Sequence, residues 1–319
     1  MPDILLIKTS SLGDVLHNLP VVTDICRQFP DVKIDWAVEE SFAALPALHP
    51  NVRNVIPVAI RRWRKSWWSS RTEMQATCHK ICDQHYDLAL DTQGLFKSAL
   101  ITRCANTPRC GYDRKSAREP IASLFYDRTF SVPKNLHAVE RNRQLAGLAL
   151  GYTPLGAPDY GIQSPSLELP WLSRTSPYVV LLHATSRDDK LWKEANWIAL
   201  GKQLACDGFQ LVLPWGNAKE EIRSERLAAA LPNAVSPPQL SLVEAAALLG
   251  HAHAVIGVDT GLSHLAAALN VPTIGIYTAT DPGLTGLFAG NRAVNLGNAQ
   301  TSPLVDEVLS TLAQLLAHA

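Results

Sequence analysis

The chain of 319 residues lacks several features that mark specialised classes of protein. Its six cysteines form no Cys-x-x-Cys pair, and it has neither a signal peptide nor an apolar run long enough to span a membrane. Lys and Arg number 29, as do Asp and Glu, so no overall positive charge suggests a nucleic-acid partner. These absences predict a cytoplasmic protein with reduced thiols.

Metal-binding patterns are scarce in the sequence. Cys78, His79, Cys82 and His85 lie close together, but the ligands of a structural zinc site usually converge from separate segments. Three of the four would share one face of a helix, so we interpret the group as half-buried helix residues. The sequence therefore predicts no metal site.

The balanced total charge conceals an uneven distribution. Residues 1–160 carry 20 basic and 16 acidic side chains, whereas the rest of the chain carries 9 and 13. The excess is largest in residues 49–143, which hold 17 basic and 8 acidic side chains. This distribution predicts that an acidic partner binds the first half of the chain.

A strand, a glycine turn and a helix follow one another in the second half. Residues 255–258 are apolar, Asp259-Thr260-Gly261 form the turn, and apolar residues then recur at helical spacing. Because the first N–H groups of a helix attract anionic oxygen, this junction is a candidate phosphate site. The alternative is an ordinary turn in which Thr260 or Ser263 caps the helix.

A second junction of the same kind lies in the first half. Residues 4–7 form an apolar strand, residues 9–13 a turn, and a helical pattern begins at Val15. Asp14 therefore lies close to the first turn of that helix. Its carboxylate either caps the helix or projects from the carboxyl edge of the sheet, where open α/β sheets place their chemistry.

The segment 61–68 combines four cations with three tryptophans, namely Arg61, Arg62, Arg64, Lys65, Trp63, Trp67 and Trp68. Cations bind anionic groups and indole rings cover apolar or sugar surfaces, a combination that suits a phosphorylated lipid or glycolipid. A solvated loop is the alternative, although exposed tryptophans are unfavourable without a partner.

Strand and helix patterns alternate in both halves of the chain. Five prolines with little periodicity between them mark residues 151–177 as a linker region. After the next strand, the turn 183–190 carries hydroxyl groups and Lys190, which suit phosphate oxygens. The predicted fold class is α/β, with two doubly wound Rossmann-like domains, residues 1–160 and 161–319, facing a cleft.

Six stretches spread along nearly the whole chain resemble motifs of the ADP-heptose-dependent lipopolysaccharide heptosyltransferases: 8–17, 59–65, 117–120, 183–190, 214–216 and 259–264. The resemblance implies a GT-B fold in which residues 1–160 bind the acceptor and residues 161–319 bind the nucleotide sugar. It also implies inverting transfer of L-glycero-D-manno-heptose from ADP-heptose to the inner Kdo of Kdo-lipid A. A related ADP-sugar heptosyltransferase with a different core acceptor is the alternative.

The resemblance also implies a role for individual residues. Asp14 matches the general base and Lys190 the cation that faces the diphosphate. The other matches to donor contacts are Thr185, Ser186, Glu220 at the ribose, Leu240 at the adenine, and Asp259, Thr260, Gly261 and His264 around the diphosphate and sugar. The matches to acceptor contacts are Ser10, Gly13, Arg61, Arg62, Arg64, Lys65 and Arg118. The family often has Thr at position 186 and Met at position 240, so the adenine pocket is expected to differ in shape.

The implied reaction is expected to need no cofactor or metal. The sequence contains no Asp-x-Asp, the pair with which metal-dependent glycosyltransferases commonly hold a divalent ion on the diphosphate. Lys190 and the helix that starts near Gly261 should therefore neutralise that charge. The expected partners are ADP-heptose and Kdo-lipid A, met by peripheral association with the cytoplasmic face of the inner membrane, and no nucleic acid.

Two other classes of function fit the sequence less well. A nicotinamide-dependent oxidoreductase would also be doubly wound, but no segment matches Gly-x-Gly-x-x-Gly. A non-catalytic glycolipid-binding protein would explain segment 61–68, but it would need neither Lys190 nor a second nucleotide-binding domain.

Overall fold

The computed structural model describes residues 2–66, 68–173 and 176–317. Trp67, one of the three tryptophans of segment 61–68, lies outside the described residues. The chain divides into two compact units, Met1–Ile162 and Gln163–Ala319, called here unit 1 and unit 2. Each unit contains one six-stranded sheet.

Unit 1 is built on a parallel sheet with the strand order β3-β2-β1-β4-β5-β6. Its elements are β1 (Asp3–Ile7), α1 (Leu12–Leu16), α2 (Leu19–Gln28), β2 (Lys33–Glu39), β3 (Val52–Val58), α3 (Ile60–Trp63), α4 (Arg71–Cys82), β4 (Leu88–Asp91), α5 (Phe96–Thr102), β5 (Arg109–Tyr112), β6 (Arg128–Phe130) and α6 (Ala138–Leu150). Short 3₁₀ turns occur at Glu40–Phe42, Pro46–Leu48 and Pro120–Phe125.

Strand β1 lies at the centre of this sheet because it is apolar at nearly every position. Ile4, Leu5, Leu6 and Ile7 are fully buried, and β1 pairs in parallel with β2 on one side and β4 on the other. A strand covered by helices on both faces needs such a continuous apolar run. The run thus determines where the chain leaves the sheet, directly before the turn of residues 8–11 that leads into α1 and Asp14, called here the turn of Asp14.

Unit 2 repeats this architecture with the strand order β12-β11-β10-β7-β8-β9. Its elements are β7 (Tyr178–Leu182), α7 (Glu194–Cys206), β8 (Gln210–Val212), α8 (Ala218–Ala229), β9 (Ala234–Val235), α9 (Leu242–Gly250), β10 (Ala254–Val258), α10 (Gly261–Ala268), β11 (Thr273–Tyr277), β12 (Ala293–Gly297) and α11 (Val305–Ala317). Its 3₁₀ turns are Asp188–Lys190 and Gly290–Arg292.

Both sheets have the strand order of a doubly wound Rossmann-like fold, and the α/β prediction is confirmed. In such a sheet the order reverses beside the first strand, and ligands bind outside the carboxyl ends of the strands at that point. The reversal lies between β1 and β4 in unit 1 and between β7 and β10 in unit 2.

The prediction of reduced thiols is wrong for one pair of cysteines. Cys78 on α4 forms a disulfide with Cys104, which follows α5, and their Cα atoms lie 5.0 Å apart. That distance is within the ordinary range for a disulfide. The two cysteines are 26 residues apart in sequence, so only the packing of α4 against the end of α5 brings them together.

The same segment contains the four residues, Cys78, His79, Cys82 and His85, that were considered as zinc ligands. Cys82 is exposed, and so are His79 and His85, whereas Cys78 is half-buried. Within residues 2–66, 68–173 and 176–317, no group of three or more His, Cys, Asp or Glu is arranged to hold a metal ion. No helix in these ranges is long and apolar enough to cross a bilayer.

Candidate active site

The turn after β1 is clamped by a glutamine from the neighbouring strand end. The Gln93 side chain, which follows β4, accepts hydrogen bonds from the backbone N–H groups of Thr9 and Ser10 at 2.8 and 3.2 Å. Its amide nitrogen donates to the carbonyl oxygen of Ser10 at 2.5 Å. Lys97 then donates to the Ser10 hydroxyl at 2.9 Å. The turn is therefore held from β4 and α5 before any ligand binds.

Asp14 lies at the open side of this turn and is partly accessible, with 16% of its side chain exposed. Its Oδ2 accepts from the backbone N–H of Ser11 at 2.8 Å, so the carboxylate does cap α1. The same oxygen accepts from the Arg118 guanidinium at 3.3 Å. Among the described residues, the hydrogen bonds to Asp14 all end on Oδ2. Asp14 can therefore cap α1 with Oδ2 and still accept a proton on Oδ1.

Two cations control the charge of this carboxylate. Burial alone would raise the pKa of Asp14, but the charges of Lys8 and Arg118 together with the Ser11 hydrogen bond hold the pKa below its ordinary value. Lys8 is itself buried and donates to the carbonyl oxygen of Thr92 at 2.8 Å. Burial lowers the pKa of Lys8 to about 8, with the Asp14 charge opposing that shift. Asp14 is thus ionised at neutral pH.

The cations of segment 61–68 differ in their surroundings. Arg62 forms ion pairs with Glu40 at 3.0 Å and Glu73 at 2.7 Å. Arg64 and Lys65 are exposed, and Arg61 lies 5.2 Å from the centre of the Phe42 ring. The predicted acceptor contacts are therefore not equivalent, because the charge of Arg62 is already balanced by two carboxylates.

The tryptophans of the same segment also differ from one another. Trp63 is 7% exposed and belongs to the apolar core of unit 1, so the interpretation of it as an exposed ring is wrong. Trp68 is 80% exposed, with the Arg71 guanidinium 5.7 Å from its ring centre. Helix α3 turns Trp63 inward, because its position follows buried Ile60 by three residues.

In unit 2, Lys190 and Asp259 meet at the reversal point of the sheet. The Lys190 ammonium contacts Asp259 Oδ2 at 2.6 Å, and the two side chains are 18% and 16% exposed. The Thr280 hydroxyl donates to the same Oδ2 at 2.8 Å, and Thr185 donates to the Asp259 carbonyl oxygen at 2.9 Å. Loops after β7, β10 and β11 thus converge on one cation and one carboxylate.

The start of α10 has the geometry of an anion site. Thr260 is the N-cap residue, and its side chain makes no capping hydrogen bond within the described residues. Ser263 instead donates to the carbonyl oxygen of Val258 at 2.8 Å. A Cβ on Gly257 would lie 2.3 Å from the Ser263 hydroxyl, so glycine is needed for α10 to approach β10 this closely. Neither side chain proposed as a cap performs that role. The N–H of Ser263 bonds the Thr260 carbonyl oxygen at 3.1 Å, and the N–H groups of Gly261 and Leu262 before it are the ones placed for a ligand.

The remaining predicted donor contacts lie on the loops after β7, β8 and β9 and on α10. Glu220 accepts from the Gly216 N–H at 2.8 Å and from the Asn217 side chain at 2.7 Å, which fixes it at the start of α8. Leu240 is half-buried, Ser186 is exposed, and His264 is 7% exposed. All four residues lie in unit 2, either on loops that follow the carboxyl ends of its strands or in the first turn of the next helix.

Several residues of these sites were not predicted from the sequence. Gln93, Lys8 and Asn142 support the turn of Asp14, since Asn142 accepts from the Lys8 ammonium at 3.3 Å. Thr280 joins the Lys190 pair. The sequence does contain a clue to Gln93, because Asp91-Thr92-Gln93-Gly94 repeats the pattern of strand, polar turn and glycine seen before Asp14.

Comparison with known proteins identifies the family of the chain that contains these sites. The model of glycosyltransferase family 9, the heptosyltransferases, matches residues 74–312. The chain belongs to this family and is a glycosyltransferase.

Individual relatives agree with the family. Lipopolysaccharide heptosyltransferase 1 of Pseudomonas aeruginosa is 48% identical over 299 residues, covering 92% of this chain and 83% of the relative. The protein of the same name from Escherichia coli K12 is 45% identical over 318 residues, covering 96% and 99%. The solved E. coli heptosyltransferase WaaC with ADP superposes with a TM-score of 0.90 at 42% identity, covering 98% and 99%. The same protein with ADP-2-deoxy-2-fluoro heptose gives a TM-score of 0.88 over the same shares.

Proposed function

We propose that this glycosyltransferase moves L-glycero-D-manno-heptose from ADP-heptose to the inner Kdo of Kdo-lipid A, with inversion at the anomeric carbon. The observation that carries the proposal is the likeness, over 98% of this chain, to a heptosyltransferase solved with an ADP-heptose analogue. In the proposal, residues 1–160 bind the acceptor and residues 161–319 bind the donor.

Asp14 is the general base of the proposed reaction. Its carboxylate takes the proton of the attacking Kdo hydroxyl while the hydroxyl oxygen forms a bond to the anomeric carbon of heptose. The bond from that carbon to the diphosphate oxygen breaks, and ADP leaves with the bonding electrons. Because the pKa of Asp14 lies below its ordinary value, the carboxylate is ionised at neutral pH, which is the form that can accept a proton.

Lys190 and the start of α10 neutralise the departing diphosphate. An ammonium group has three N–H donors, so Lys190 can keep its bond to Asp259 and still donate to phosphate oxygens. Thr185, Ser186, Thr260 and Gly261 lie on the two loops that flank this cation. Charge that grows as the bond breaks is stabilised most by donors that are already oriented. Asp259 and Thr280 orient Lys190 in this way.

The other donor contacts proposed here recognise the nucleoside and the sugar. Glu220 accepts hydrogen bonds from the ribose hydroxyls, and Leu240 packs against the adenine. His264 contacts the heptose. The fixed position of Glu220, through Gly216 and Asn217, supports its assignment, because a preorganised acceptor loses little entropy on binding.

Acceptor binding is assigned to Ser10, Gly13, Arg61, Arg64, Lys65 and Arg118, with Arg62 contributing less because Glu40 and Glu73 balance it. Exposed cations attract the phosphates and carboxylates of such an acceptor at an anionic membrane surface. We accordingly propose peripheral association of unit 1 with the cytoplasmic face of the inner membrane, and no requirement for a metal ion.

A turnover assay tests the proposal directly. The protein is incubated with ADP-heptose and Kdo-lipid A in EDTA, ADP release is measured, and the anomeric configuration of the product is determined by NMR. We expect a single inverted heptosyl product on the inner Kdo. Turnover only with an acceptor that already carries a heptose would assign the protein to another step of core assembly, and restoration of activity by Mg²⁺ alone would refute the metal-free mechanism.

A further inference from the structure

Unit 1 contains an apolar cavity of about 650 Å³ beside the turn of Asp14. Its walls come from the end of β3 and from α3, α4 and α5, and include Ile60, Met74, Ile81, Leu100 and Ile101. Cavities of roughly 300–1,000 Å³ are the size that buries small ligands. Of its lining residues, the function proposed above uses only Arg64.

The cavity is apolar inside and cationic at one side. Arg64 and Lys97 belong to its lining, together with a single carboxylate, Glu119, whose Oε2 accepts from the backbone N–H of Phe96 at 2.6 Å. The Lys97 ammonium donates to the Ser10 hydroxyl at 2.9 Å, within the turn that carries Asp14. The polar end of a molecule that fills the cavity therefore lies next to the cations Arg64 and Lys97. Beyond these cations is the turn that leads to the proposed base, Asp14.

An exposed apolar surface continues from the cavity. Phe96 and Leu100 line the cavity and are also 41% and 42% exposed. The adjoining 3₁₀ turn Pro120–Phe125 contributes Ile121 and Leu124, which are 52% and 78% exposed, and the rings of Phe96 and Phe125 lie 5.4 Å apart. Apolar side chains that remain exposed as a group mark a surface that contacts an apolar partner.

We propose that this cavity binds an acyl chain of the lipid acceptor, while the anionic sugar of the same molecule lies against Lys97, Arg64 and the turn of Asp14. The inference rests on the proposed function, because it takes the acceptor to be an anionic glycolipid. Charge complementarity supports this occupant over a neutral apolar ligand, since two of the three charged groups of the lining are cations. The chain anchors the acceptor and orients its sugar toward the base.

The test fills the cavity by mutation. Thr77 of α4 is half-buried and lines the cavity, whereas Thr72 of the same helix is exposed and lies outside the lining. Thr77→Phe places a ring in the cavity, and Thr72→Phe is the matched control. Wild type and both variants are assayed with two Kdo-bearing acceptors, one fully deacylated and one with a short acyl chain, used below its critical micelle concentration.

We expect the acylated acceptor to have the lower KM in wild type and in Thr72→Phe. Thr77→Phe should reduce that KM advantage by about tenfold or more, because each methylene kept out of an apolar site loses part of the binding energy. Turnover of the deacylated acceptor shows that each variant is folded. Met74→Phe fills the cavity from another position of α4 and replaces Thr77→Phe if the latter does not fold.

Four outcomes would overturn either the acyl-chain site or the proposed function. A KM ratio that is equal in wild type and Thr77→Phe, or a wild type with no preference for the acylated acceptor, refutes the acyl-chain site and leaves the proposed function intact. An unchanged ratio combined with weaker sedimentation of Thr77→Phe on phosphatidylglycerol vesicles assigns the cavity to a membrane phospholipid instead. Absence of turnover of both acceptors by wild type refutes the proposed function itself.

Discussion

The two units share one strand order but place opposite charges at the same topological position. In unit 1 the reversal of strand order presents a carboxylate, Asp14, whose pKa is held down by Lys8 and Arg118. In unit 2 it presents a cation, Lys190, paired with Asp259. A doubly wound sheet therefore determines where functional loops end, whereas the loop residues determine what chemistry is done there.

The two positions also differ in how firmly they are built. The turn of Asp14 is held by Gln93 and by Lys8, which is 5% exposed, so its geometry is fixed by buried hydrogen bonds. Lys190 and Asp259 have side chains 18% and 16% exposed and come from separate loops. Buried hydrogen bonds thus orient the proposed base of unit 1, whereas an ion pair between two partly exposed loops orients the proposed diphosphate-binding cation of unit 2.

The largest expected effect comes from removing the carboxylate of unit 1. Asp14→Asn should lower kcat by about 10²–10⁴-fold and leave the affinity for ADP-heptose nearly unchanged, because the proposed base acts only on the acceptor proton. Steady-state kinetics with both substrates varied measures this. Asp31→Asn, at an exposed position of unit 1, is the control. Near-normal turnover of a folded Asp14→Asn protein would mean that Asp14 only caps α1.

Removing the cation of unit 2 should have a smaller and different effect. Lys190→Ala should lower kcat by roughly 10²-fold and also weaken ADP binding, because the diphosphate is charged before the bond breaks as well as afterwards. Calorimetric titration with ADP complements the kinetics. Lys219→Ala removes a lysine from an exposed ion pair with Asp188 and should change neither quantity much. Equal ADP affinity in wild type and Lys190→Ala would contradict the donor role of unit 2.

The exposed cations of unit 1 are expected to act through long-range attraction. Replacing Arg61 and Arg64 with Ala should raise the acceptor KM by about tenfold at low ionic strength and flatten its salt dependence, while the KM for ADP-heptose is retained. Arg62→Ala is the internal control, since its charge is balanced by Glu40 and Glu73. If the double substitution does not change the acceptor KM at low salt, segment 61–68 is an ordinary solvated loop and does not bind the acceptor.

The smallest expected effect is a change in the pH dependence of kcat, caused by the charges around Asp14 in unit 1. Because the pKa of Asp14 lies below its ordinary value, wild-type kcat should stay level as the pH falls from neutrality and decline only in strong acid. Arg118→Met removes one of the charges that stabilise the carboxylate, so the pKa of Asp14 rises and the acidic limb of kcat moves to higher pH. Arg114→Met, at an exposed neighbouring position, should leave the limb in place. A limb that does not move would show that Arg118 has no electrostatic influence on the base.

The central strands could be predicted from the sequence, but the edge strands β6 and β12 were missed. β1, β7 and β10 are continuous apolar runs because they are buried on both faces. β6, with residues Arg128–Phe130, and β12, with Ala293–Gly297, lie at sheet edges and are only partly buried.

The sequence by itself determined the fold class and the family, from patterns repeated along the chain. It also determined the junctions that carry Asp14 and Asp259 and the turn that carries Lys190, because each of these is written in a contiguous run of residues. Only the tertiary structure decided which distant residues meet there. Arg118 reaches Asp14 across 104 positions, Gln93 reaches Thr9 across 84, and Cys78 meets Cys104. The packing of α3 against the core of unit 1 buries Trp63, and the apolar cavity lies where β3, α3, α4 and α5 pack together. Local periodicity reports which face of an element is apolar, but the strand order determines which elements become neighbours.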